Sequence, residues 1–162
     1  MSPTRHPYFA GMLGCGLLLG LLALQATPAA GSSFNIYVVN ALDNNVVVFN
    51  SDAQTARFTF PVGLNPQAIS ISPDGSRVYV VDSQDNNVAL LTVPTTFISV
   101  GATPVGIAIT PDGAFAYVTN GGSSSVSVIA TATNQVVKAA IRLARGEPTG
   151  IASPRTGPTP TW

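Results

Sequence analysis

Two carboxylates recur in one setting, Pro73-Asp74-Gly75 and Pro111-Asp112-Gly113, and their spacing makes them the first residues to weigh as a general acid and base. Pro, Asp and Gly in that order are, however, what a tight turn selects. Pro presets its backbone, Asp bonds to the chain ahead, and Gly tolerates positive φ. Asp43-Asn44-Asn45 and Asp85-Asn86-Asn87 offer the oxygen ligands that calcium takes, yet they lack a regular partner carboxylate and fall where a hairpin must turn. Ser123, Ser124 and Ser125 have no base to activate them and read as hairpin filler. No catalytic, cofactor-binding or metal-binding residue is assigned, and the ligand-binding residues stay open.

The N-terminal segment sharpens that exclusion. Arg5 and His6 precede a weakly polar run from Phe9 to Leu24 that ends in small residues around Ala26 to Gly31, the pattern of a secretory signal over residues 1–30. Cleavage falls after Ala26, Ala29 or Ala30. A signal anchor is the alternative, but the run is shorter than the roughly twenty residues a membrane span requires. Leu13-Gly14-Cys15 resembles a lipoprotein signal, except that the strongest apolar stretch, Leu17 to Leu24, follows the Cys instead of preceding it. Cleavage would remove the only His and the only Cys, His6 and Cys15, and with them any disulfide, thiol nucleophile, Ser-His-Asp triad or imidazole-based metal site. The 7 basic residues balance the 7 acidic ones. Lys138, Arg142 and Arg145 form the one candidate basic cluster, too sparse for a nucleic acid or an anionic membrane. The expected location is periplasmic or secreted, with no membrane span after cleavage and no cofactor.

What positions these residues is a repeat. Tyr37-Val38, Tyr79-Val80 and Tyr117-Val118 each open a copy, and Val46, Val88 and Val126 follow each Tyr at the same distance. A polar turn lies between, and later in each unit Pro66, Pro104 or Pro148 precedes an apolar alternation. The period of about forty residues marks units that must stack to bury their faces. In the most regular copy the spacing predicts strands over Val105 to Thr110, Phe115 to Thr119, Val126 to Ala130 and Gln135 to Ile141, joined by hairpins. Four such strands make one blade of an all-β propeller. Val78 and Val80 alternate with Tyr79 and Val81, so the sheet is apolar on both faces and must be covered on both.

Tyr117-Val118-Thr119-Asn120, Val126-Ser127-Val128-Ile129, Thr131-Ala132-Thr133-Asn134 and Pro104 to Gly113 together resemble the YVTN family of β-propeller repeats, with near matches at Tyr37 to Asn40 and Tyr79 to Asp82. The resemblance runs from about Phe34 to Ala152. It implies a propeller but no particular activity, since such propellers resemble parts of surface-layer proteins, exported proteins and quinoprotein dehydrogenase subunits.

The pattern departs after Ala152, where Ser153-Pro154-Arg155-Thr156-Gly157-Pro158-Thr159-Pro160-Thr161-Trp162 replaces the expected turn. Written as TCA CCC CGG ACG GGG CCT ACG CCT ACG TGG and read two letters along, these codons give Thr-Pro-Asp-Gly-Ala-Tyr-Ala-Tyr-Val, nearly the sequence of Thr110 to Val118. Residues 153–162 are therefore expected to be out-of-frame translation, and residues 31–152 about three blades of an incomplete ring, where closed propellers use about four to eight. The functional expectation is an exported, non-enzymatic binding or cell-surface scaffold. Its partner would be an unknown protein or cell-envelope ligand, and open blade faces would favour self-association. The alternatives are the N-terminal part of a larger propeller enzyme, of lactonase or quinoprotein dehydrogenase type, and the dead product of a frameshifted gene.

Overall fold

A computed structural model describes residues 33–52, 56–144 and 146–153. The expected signal and nearly all of the aberrant tail lie outside the described residues. Among those residues the chain is built of strands alone: β1 (Asn35–Asn40), β2 (Asn45–Asn50), β3 (Ala56–Pro61), β4 (Pro66–Ile71), β5 (Val78–Asp82), β6 (Asn87–Leu90), β7 (Thr96–Ser99), β8 (Pro104–Ile109), β9 (Phe115–Asn120), β10 (Ser125–Ala130) and β11 (Gln135–Arg142). They form three antiparallel meanders, β1-β2-β3, β4-β5-β6-β7 and β8-β9-β10-β11. The boundaries expected for the regular copy hold to within a residue or two.

Four of the hairpin turns, β1–β2, β5–β6, β9–β10 and β10–β11, close on a residue in the left-handed region, namely Asn44 (φ 52°), Asn86 (φ 55°), Ser124 (φ 47°) and Asn134 (φ 55°). Asn is favoured there because its short polar side chain tolerates that backbone, which explains the recurrent Asn of the turns. Pro66 and Pro104 begin the first strand of their sheets, β4 and β8, where the missing N–H is harmless.

Stacking buries the middle sheet on both faces, as its alternation requires. Tyr79 and Val81 of β5 pack with Val88, Leu90 and Ile98 against Ile107, Ile109, Val118 and Ile129 of the third sheet. Val80 and Ala89 point the other way, onto Val46 and Val48 of the first. β4 and β8 lie side by side along the inner edge without sharing a ladder. This is the packing of consecutive blades in a β-propeller.

The ends of the stack differ from its middle. β1 has no described strand on its inner side, and Ile36 and Val38, on the face turned away from the second sheet, are 43% and 38% exposed. Residues 149–152, which follow Pro148 where the other copies start an inner strand, do not form one. That segment lies beside β8, with the Thr149 carbonyl and Ile151 Cγ2 each 3.5 Å from where a Cβ on Gly106 would stand. A strand needs a ladder partner, and none is described beside it.

Candidate functional site

The two Pro-Asp-Gly segments are the turns β4–β5 and β8–β9, and the structure brings them together. Asp74, Arg77, Asp112 and Thr131 line one cavity of about 320 Å³ between the second and third sheets. Both carboxylates are nevertheless occupied locally. Asp74 accepts from the Ser76 amide (3.0 Å) and from the Ser72 and Ser76 hydroxyls. Asp112 accepts from the Ala114 amide (2.9 Å) and the Thr110 hydroxyl. These bonds stabilise the ionised form. The Ser72 hydroxyl leads in holding Asp74 down at about 2, and the Thr110 hydroxyl leads in lowering Asp112. Carboxyls fixed as anions are poor proton donors at neutral pH. Gly75 (φ 72°) and Gly113 (φ 71°) supply the positive φ of each turn.

The Asp-Asn-Asn turns join each hairpin to a neighbouring connection. Asn44 Oδ1 accepts the Asn65 amide (2.9 Å), and Asn86 Oδ1 accepts the Thr103 amide (2.7 Å), so each β-hairpin clasps the connection into the following blade. Asp85 Oδ2 accepts the Leu64 amide (2.7 Å). Ser123 is more than hairpin filler, because its hydroxyl accepts the Ala102 amide (3.1 Å) at the place corresponding to Asp85. Ser125 is buried and bonded to Asn120 Nδ2. Of the candidate basic cluster, Arg142 lies exposed at the end of β11; the side chain of Lys138 and all of Arg145 lie outside the description.

One surface feature was not anticipated from the sequence. Phe58 and Phe60 of β3 (ring centroids 6.4 Å apart), Phe97 of β7 and the Thr92–Thr95 connection line an apolar cleft of about 750 Å³ between the outer parts of the first two sheets. Phe60 packs toward the second sheet, while Phe97 alternates with Ile98 and so faces the first. The Thr95 hydroxyl donates to the Pro61 carbonyl (3.2 Å) and bridges the two sheets, and the Thr92 hydroxyl donates to the Pro94 carbonyl (2.6 Å). Arg57 stands 5.8 Å from the Phe58 ring centroid. The sequence signal was present as bulky aromatics on the outermost strands, where a blade needs less packing than at its middle.

Known structures place the fold. The chain aligns with hydrazine synthase of Kuenenia stuttgartiensis (27% identity, TM-score 0.66), covering 70% of this chain and 34% of that one. It aligns with a streptogramin B lyase (16% identity, TM-score 0.63), covering 74% and 41% respectively. For dihydro-heme d1 dehydrogenase NirN the values are 19%, 0.63, 74% and 27%. The lyase and NirN are β-propeller proteins, and so is the fold described here. The chain spans well under half the length of these structures. No family model matches it, and no curated protein does.

Proposed function

We propose that this chain is a YVTN-type β-propeller repeat module, exported to the cell envelope or beyond, that works as a non-enzymatic binding or surface scaffold for a protein or cell-envelope component. The observation that carries this reading is where the polar groups go. Asp74, Asp112, Asn44, Asn86, Asp85 and Ser123 all spend their acceptors on turns and blade connections. The apolar cleft of Phe58, Phe60 and Phe97 is open to a partner. Clefts of that size and lining suit uncharged, largely apolar groups. Export is supported by the composition of residues 1–30.

The competing reading is the front part of a larger propeller enzyme. It is favoured by the likeness to a streptogramin B lyase of which this chain spans 41%, leaving the catalytic groups to blades beyond it.

Two measurements test the proposal. Expressed with its own leader in a bacterium, the protein should be recovered outside the cytoplasm and shortened at the N-terminus. Titrated with anilinonaphthalene sulfonate, it should show saturable fluorescence that Phe97→Ser largely removes while the circular dichroism stays unchanged. Full fluorescence in the variant rejects the cleft as the binding surface. Turnover of a lactone or of a quinone-linked substrate by the purified chain rejects the non-enzymatic role.

A further inference from the structure

The three sheets repeat one cross-strand pair at the same end, and the middle sheet breaks it. In the first sheet Asn40 faces Asn45, and Asn40 Nδ2 donates to Asn45 Oδ1 (2.9 Å). In the third Asn120 faces Ser125, and Asn120 Nδ2 donates to Ser125 Oγ (3.2 Å) and Ser127 Oγ (3.0 Å). In the second sheet the corresponding pair is Asp82 and Asn87. A carboxylate has no hydrogen to give. Asp82 is fully buried, and its Oδ1, its Oδ2 and Asn87 Oδ1 are all buried without a partner, leaving acceptor against acceptor.

The surroundings do not relieve the mismatch. Asn120 Oδ1 accepts the Gly101 amide at 3.2 Å. The Gly63 amide approaches Asp82 from the same direction and favours its anion, but without the alignment of a full hydrogen bond. A Cβ on Gly63 would fall 2.7 Å from Asp82 Oδ2 and 2.7 Å from Asp85 Oδ2, so two carboxylates flank one backbone position. From the β5–β6 turn Asp85 is the titratable neighbour of Asp82, and its Oδ2 accepts the Leu64 amide. The β3–β4 connection presents backbone amides, and Asn87 of β6 is uncharged.

We infer that Asp82 is a proton-binding site: its buried carboxyl keeps a proton and donates it to Asn87 Oδ1, replacing the Nδ2–H donor that Asn40 and Asn120 provide in the neighbouring sheets. Burial first, then the nearby Asp85 charge, raise the Asp82 pKa to about 6. The folded state therefore binds a proton that the unfolded chain gives up near 3.8. The stabilisation from this group is complete below the unfolded value and is lost as pH rises toward about 6. The bond that closes β5 onto β6 beside the blade connection is thus made in mildly acidic surroundings and broken above them.

The test is a carbon-detected carboxyl titration of the full chain, with melting followed from pH 4.5 to 7. Asp82 should titrate near 6, and the melting temperature should fall across that window. Asp82→Asn should flatten the pH dependence and melt higher than the parent at pH 7. Asp85→Asn, which leaves the pair intact, should shift the Asp82 midpoint down. A midpoint at or below 4 overturns the proposal and means that the Asn87 amide is turned to donate to an ionised Asp82. A melting slope unchanged by Asp82→Asn overturns it equally.

Discussion

Tyr79 reaches out of the second sheet and donates its hydroxyl hydrogen to Oδ1 of Asn134, 2.9 Å away in the β10–β11 turn of the third, across 55 residues of sequence. The ring is fully buried between the sheets, and that burial raises its phenol pKa. One side chain thus contributes apolar area and a directional bond to the same blade junction. Tyr79→Phe removes the bond alone and should cost about 1 kcal/mol. Tyr79→Ala removes the ring as well and should cost roughly 3–5 kcal/mol. Urea denaturation checks both, and equal losses in the two variants would mean that the ring contributes nothing.

Asn86 combines the left-handed turn backbone with the acceptor for the Thr103 amide. Asn86→Ala should lose both and destabilise by roughly 1–3 kcal/mol. Asn86→Gly keeps the backbone and loses the acceptor, so it should fall between parent and Ala. Limited proteolysis should show new cleavage near Thr103 in both variants. Resistance equal to the parent's would mean that the connection is held by something other than this clasp.

At the acid end the turn carboxylates take over. Asp74 and Asp112 have lowered folded pKa values, so their stabilisation is present above 3.8 and disappears as pH falls, for Asp74 toward about 2. Asp74→Asn should therefore soften the loss of stability between pH 4 and pH 2. Both groups are fully exposed, so salt should blunt the effect. Melting curves across that range check it, and an unchanged acid limb would show that another carboxylate is responsible.

Ile36 and Val38 on the first sheet, with the edge of β1 that has no strand beside it among the described residues, give a surface of the kind that drives association. Light scattering on purified residues 31–162 should report aggregates, or a dimer in which residues 149–152 of one copy meet β1 of another. Ile36→Lys with Val38→Lys should shift the population toward monomer. A well-folded monomer in the parent would remove association from the description of this chain.

The strands were legible because two signals coincide in every copy. Val and Ile alternate with period two, and Pro, Asp, Asn and Gly stand where the chain must reverse. The burial of β5 on both faces followed from Val78 to Val81 alone. The roles of Asn44, Asn86 and Ser123 were harder to see, because a turn residue and a turn residue that also clasps another blade have the same local sequence. Only the alignment of hairpin with connection in space separates them. The Asp82–Asn87 pair was hidden for a related reason. Asp and Asn are near equivalents as turn formers but opposites as donors, and the difference matters only when water is excluded. The cleft depends on how far two sheets splay at their outer strands, a quantity that no single repeat encodes.

The inner strands β4 and β8 lie side by side yet share no backbone ladder. Each sheet consequently keeps its backbone ladder to itself and is joined to the next by apolar packing, a short connector and a few side-chain clasps. Duplicating or deleting one such unit in the gene disturbs no strand register in those that remain. What each neighbour must still match is the apolar packing between sheets, carried by side chains as small as Val46, Val80 and Ala89. Evolution can therefore change the circumference of such a molecule in whole-repeat steps, tuning it by a methyl group at a time.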